Sequence, residues 1–170
     1  AADEADYEKR VADADKRIRA FIVKEDILTI PDYVGPLGHN VPFMRRPDGL
    51  NFWEAIQFRD PYPDHLHAVI PGHRFDQLIE DHNPHPVRGK ISDGVRTEGW
   101  AVYLEEAMML AGLLKDKPRT EELIRLFGIF RATRVSADVR MQRNQLTIDG
   151  AIAAMRAGSP WLDENVARVD

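Results

Sequence analysis

Asp64-His65-Leu66-His67-Ala68-Val69-Ile70-Pro71-Gly72-His73 is the stretch that decides the architecture of this chain. Leu66, Val69 and Ile70 fall at helical spacing, and Phe75, Leu78 and Ile79 continue that spacing on the far side of Pro71-Gly72. Proline has no N–H and its ring clashes with the preceding turn, so the pair must kink or split the helix. The break has a chemical consequence. His67 and His73 are six residues apart, and on a straight helix they would lie about 120° apart around the axis. An interruption between them lets a second short helix turn His73 back toward His67.

Downstream, after a polar loop from Asn83 to Asp93, a strongly apolar stretch runs from Val95 to Leu114 and reads as a helix buried on nearly every side. Glu98 and Glu105 lie within it, seven residues apart, about two helical turns less 20°, and therefore share a face. Two carboxylates on a buried apolar helix cost several kcal/mol each unless something cationic meets them, so a metal or an arginine is required. Thr120 to about Gln142 reads as a long amphipathic helix, with Leu123, Phe127, Phe130 and Ala137 inward and Pro118 ahead of it. A short helix follows the cap at Thr147 and ends near Gly158. Upstream, Tyr7, Val11, Ile18, Phe21 and Ile22 make one stripe of a helix from Asp6 to about Lys24. Six prolines between Ile27 and Pro63 predict a loop region with one or two short strands, Ile27–Ile30 first among them. The expected fold is mainly α: one helical domain over 1–170, a Pro-rich loop region, at most a short β element, and a core motif region at 64–142.

Composition narrows the function. A chain of 170 residues is long enough to bury a real core. A net charge of −5 with both signs interspersed offers no basic stripe for phosphates, which excludes nucleic acid as an expected partner. No apolar run is long enough to span a membrane. The chain has no cysteine, so disulfides and thiol nucleophiles are out and any metal must use histidine and carboxylate. That absence suits cytosol and periplasm equally and leaves the compartment open. Two imidazoles and one carboxylate form the ligand set of catalytic zinc hydrolases, with a coordination position left open.

His67-Ala68-Val69-Ile70-Pro71-Gly72-His73 resembles the His-Glu-x-x-Pro-Gly-His signature of a bacterial family, domain of unknown function 885, whose members are treated as metallopeptidase-like. Glu98-Gly99-Trp100-Ala101-Val102-Tyr103-Leu104-Glu105 resembles its Glu-Gly-Trp-Ala-x-Tyr-x-Glu block, and Arg131-Ala132-Thr133-Arg134 with Asp138 a later Arg-Ala-x-Arg and Asp block. The resemblance runs from about His65 to Gln142 and covers the C-terminal part of longer family members. It implies a zincin-like helical domain in which His67, His73 and Glu98 hold one zinc ion and Glu105, Arg134 and Asp138 support the site. Two positions depart from the pattern. Ala68 stands where the family has a glutamate that would serve as general base, and Gln142 stands where it has a histidine.

The leading expectation is a zinc-dependent hydrolase acting on a peptide or small amide substrate. Glu105 is then the nearest base, Tyr103 a hydrogen-bond donor to the substrate carbonyl, and Arg134 a further site residue. Two alternatives stand beside it. One is a catalytically disabled metal-binding or scaffold subunit, with a partner chain or a homo-oligomer completing it; the other is a metal-dependent lyase or dehydratase. Plainer roles are also expected. Trp100, Tyr103, Met108 and Met109 read as core, His65, His82 and His85 as solvated, and Glu106 as pointing away from the Glu98 face. Arg134 and Asp138 read as an i, i+4 ion pair worth about 0.2–0.5 kcal/mol if exposed.

Overall fold

Tyr7, Val11, Ala14, Ile18 and Ile22 recur at three- and four-residue intervals along α1 (Ala2–Lys24), and none is more than 5% exposed. Their burial is what holds this helix, whose opposite face is charged. The computed structural model describes residues 2–39 and 52–169. These form two compact units, Ala1–Thr120 and Glu121–Asp170, where the sequence suggests one domain. No strand occurs among the described residues, so the fold is mainly α.

The expected strand at Ile27–Ile30 is a correction: the segment has no strand partner among the described residues, and Pro31 removes a donor directly after it. The following turn is tied to α1, because Arg19 donates to the carbonyls of Val34 and Gly35 at 3.4 and 2.9 Å. The Pro-rich region also hides a helix, α2 (Phe52–Arg59). Its last carbonyls, on Phe58 and Arg59, accept from the Arg10 guanidinium, a cation placed where a helix end needs donors. Pro42 and Pro47 lie outside the described residues.

The decisive stretch folds as a single α-turn, α3 (Tyr62–Asp64), that widens into a π-helix at His65–Val69. Ile70 N–H donates to the His65 carbonyl at 2.9 Å and closes the wide turn. Leu66, Val69 and Ile70 are fully buried there. The chain then folds back on itself so tightly that a Cβ on Gly72 would stand 1.9 Å from the His67 carbonyl oxygen. Only glycine fits. α4 (His73–Asp81) leaves in a new direction, so the expected interruption at Pro71-Gly72 is present and has a physical cause.

α5 (Gly94–Ala111) starts where the Asp93 carboxylate accepts from Val95 N–H at 3.0 Å, and it stops at Gly112, whose φ of +102° a side chain would strain. Arg96 joins it to α4 by donating to both oxygens of Asp76, at 3.0 and 2.9 Å, and to Glu80. The helix is not buried all round as expected. Ala101, Leu104, Glu105, Met108 and Met109 face the core, while Val95, Val102, Tyr103 and Leu110 face solvent.

α6 (Pro118–Gln142) matches its expected span, and the division between the two units falls in its first turns. In the second unit α6 buries Phe127, Phe130 and Ala137 as expected, with Ile124 buried in place of the expected Leu123, and α7 (Ile148–Gly158) and α8 (Glu164–Val169) follow it, the last not anticipated. Thr147 caps α7 by accepting from Gly150 N–H at 3.1 Å, as its sequence predicts. No helix among the described residues is long and apolar enough to cross a membrane.

Candidate metal centre

His67 and His73 meet. The π-turn aims His67 outward from the core while the start of α4 brings His73 alongside, with the ring centroids 4.8 Å apart and the planes nearly perpendicular. Their Nε2 atoms are 3.2 Å apart. Glu98 Oε2 lies 3.6 Å from His73 Nε2. One donor atom from each of the three residues falls within 4.8 Å of the others. In a tetrahedral site with Zn–N bonds of 2.0–2.1 Å, two nitrogens stand about 3.3 Å apart, so the two imidazoles already have the edge length of a zinc polyhedron. The Glu98 side chain, 70% exposed, has the rotational freedom to close the remaining gap. The donor set and spacing could hold one metal ion.

Glu105 behaves differently from Glu98 although both lie on one face of α5. Only from Ala101 onward does the helix enter the core, so Glu105 is 1% exposed while Glu98 remains on the rim. The expectation that both carboxylates are buried is thus corrected for Glu98. Glu105 Oε1 accepts from His67 Nδ1–H at 2.7 Å. That bond fixes the tautomer, leaving Nε2 as the lone-pair nitrogen that faces His73. The carboxylate sits behind His67, on the side away from His73. Glu105→Ala is expected to weaken metal affinity about 10–100-fold, and Glu105→Gln less, since its amide oxygen still accepts from Nδ1–H. Competition with a chromophoric chelator measures both; parental affinity in the alanine variant would remove the positioning role.

Burial first, then the His67 imidazole beside it, lowers the His73 pKa below the ordinary histidine value, against the raising pull of Glu98, Asp76 and Asp64. A ligand must be neutral to bind metal, so this bias suits the role. Trp100 couples the two halves of the site, its Nε1–H donating to the Pro71 carbonyl at 3.1 Å across the break that carries His73.

His65, expected in solvent, is 2% exposed, and its Nε2 pairs with Asp15 Oδ1 at 2.9 Å. Burial raises the Asp15 pKa, but hydrogen bonds from His65 and Arg19 outweigh it and leave the carboxyl below its ordinary value. Nothing in local spacing signals a partner 50 positions away. Tyr103, expected in the core, is 61% exposed and stacks on Trp100 with ring centroids 5.9 Å apart. Met108 and Met109 are core as expected, and Glu106, His82 and His85 face solvent. Arg134 and Asp138 lie in the second unit, where Arg134 sits over the Phe130 ring at 5.5 Å and both residues line a groove of about 490 Å³ with Met141, Ile152 and Met155.

A family model described as "Bacterial protein of unknown function (DUF885)" matches residues 65–168. No curated protein and no solved structure gives a significant match.

Proposed function

The chain belongs to the bacterial family of unknown function DUF885, and we propose that in it His67, His73 and Glu98 hold a zinc ion that serves hydrolysis of a peptide or amide bond. The observation that carries this metallopeptidase-like reading is the pair of Nε2 atoms 3.2 Å apart with the Glu98 carboxylate beside them. Zinc held by three protein donors, with a fourth position open, polarises a carbonyl and lowers the pKa of a water. The chain's own residues supply the rest. Glu105 orients His67, Trp100 ties the His73 loop to α5, and the exposed Tyr103 phenol, on the same helix as Glu98, serves as hydrogen-bond donor to a substrate carbonyl.

A second reading, a metal-binding domain without hydrolytic activity, is favoured by one feature. Ala68 carries a methyl group at the family's glutamate position, and Glu105, the other carboxylate expected to act as base, is committed to His67 Nδ1.

Elemental analysis of protein purified without added metal is expected to give one zinc per chain, and a chelator to lower the melting temperature, since metal bound only by the folded state stabilises it. His67→Ala, His73→Ala and Glu98→Ala are each expected to lose stoichiometric metal. Full retention in one variant strikes that residue from the ligand set. Absence of metal from the parent protein even after zinc loading sinks both readings.

A further inference from the structure

His65 and His67 stand two residues apart on one turn of helix, so their side chains leave it on opposite sides. Each is met by a carboxylate from a different helix. Glu105 of α5 accepts from His67 Nδ1–H, and Asp15 of α1 pairs with His65 Nε2 at 2.9 Å. The first contact touches a candidate ligand directly. The second lies on the far side of the turn, where His65 is almost completely buried.

The residue that Asp15 holds is also the one whose backbone sets the turn. The His65 carbonyl accepts from Ile70 N–H, five positions on, and that bond widens the helix at His65–Val69. A π-turn is rare, occurs mostly as a single turn inside a helix, and is frequent at functional sites, so it persists where tertiary contacts hold it. Asp15 has the contacts to do so, because both of its oxygens are engaged. Oδ1 faces His65 Nε2, Oδ2 accepts from Arg19 Nε at 2.7 Å, and the outer nitrogens of Arg19 donate to the carbonyls of Val34 and Gly35. A polar chain therefore runs from the turn that follows α1, across α1, to the start of the π-turn.

Stability alone does not call for such a chain. α1 already packs Val11, Ala14, Ile18 and Ile22 into the core, and a buried ionic pair is often no more stabilising than well-packed apolar residues of similar volume. What the hydrogen bonds add is direction. Apolar contacts would let the turn slip, and a slip of one residue, about 100° of rotation, would swing His67 away from His73.

We infer that Asp15, acting through His65, is a positioning residue of the metal centre: it holds the π-turn at the rotation that keeps His67 Nε2 3.2 Å from His73 Nε2. The inference rests on the metal-binding part of the proposed function, and it brings into the site a helix 50 positions upstream.

The test measures zinc affinity by competition with a chromophoric chelator, the visible spectrum of the cobalt-substituted protein, and melting temperature, in the parent and its variants. Asp15→Leu leaves His65 without its partner and is expected to weaken zinc about 10–100-fold, with cobalt bands altered because the ligand geometry has changed. Asp15→Asn, whose amide oxygen still accepts from Nε2–H, should stay within about threefold of the parent. Asp15→Leu combined with His65→Leu removes the unpaired imidazole and should recover melting temperature without recovering affinity. Arg17→Ala is the control: it cuts α1 from the Leu113 carbonyl and from Asp116, and should lower the melting temperature while leaving affinity and spectrum unchanged. Parental affinity in Asp15→Leu or in the double variant overturns the inference, as does a loss in Asp15→Asn as large as in Asp15→Leu. An equal loss in Arg17→Ala also overturns it, by tying metal binding to the general stability of α1. Failure of Asp15→Leu and the double variant alike to fold assigns the pair to stability and overturns it too. A parent that takes up no zinc fails the metal reading itself, whereas zinc in the parent with affinity untouched by substitution at residue 15 fails this inference alone.

Discussion

Ala68→Glu, loaded with zinc, is expected to cleave peptides on the order of 10²–10⁴ times faster than the parent chain, the usual contribution of a positioned general base. Residue 68 directly follows His67 and is only 6% exposed, so a carboxylate there is costly unless it reaches a metal held beside it. Turning toward that site would place it where attack by water needs a proton acceptor. The assay uses both proteins against a mixed peptide library, with and without chelator. Chelator-sensitive cleavage in the variant alone identifies the parent as a hydrolase lacking its base. Equal cleavage by both places the base at another residue and makes Ala68 irrelevant to the rate. Inactivity of both, with zinc bound, supports the metal-binding domain without hydrolysis.

Gly72→Ala is expected to cost about 3 kcal/mol or more, at the upper end for overpacking, because the added methyl meets backbone and no flexible side-chain end. Its Cβ would stand 1.9 Å from the His67 carbonyl oxygen and 2.6 Å from that of Leu66. Relief requires the π-turn to open, which carries His67 away from His73. Thermal melting should therefore fall by roughly 10 °C for a chain of this size, and stoichiometric zinc should be lost with it. A variant within about 1 kcal/mol of the parent that still binds zinc would show that the tight fold-back is not what brings the two histidines together.

Much of this was legible in the order of residues. Helical periodicity located α1, which buries one face, the spacing of Phe127, Phe130 and Ala137 located α6, and the Thr147 cap located α7. Pro71 and Gly72 announced a break between His67 and His73, since proline and glycine act on the backbone locally and leave a local mark. Ligand chemistry was equally direct, a chain without cysteine having only histidine and carboxylate to offer. α2 escaped notice because its eight residues stand among prolines and have almost no apolar periodicity. The strand at Ile27–Ile30 failed for the opposite reason: β-propensity describes fitness for a sheet, and among the described residues no strand is there to pair with.

Tertiary structure alone decided what each polar side chain does. Glu98 and Glu105 are indistinguishable by helical phase, yet one stands at the rim and the other behind His67, because α5 enters the core only partway along its length. His65 and His67 are two residues apart, and a helix from 50 positions upstream claims the first while one 38 positions downstream claims the second. The sequence by itself determined that the chain is helical, that it breaks at Pro71-Gly72 and that any metal site must draw on histidine and carboxylate, because those properties are written in backbone preferences and residue types. Which carboxylate stands at the rim and which pairs with His67 depended on burial and long-range contact, and these exist only once the helices have packed.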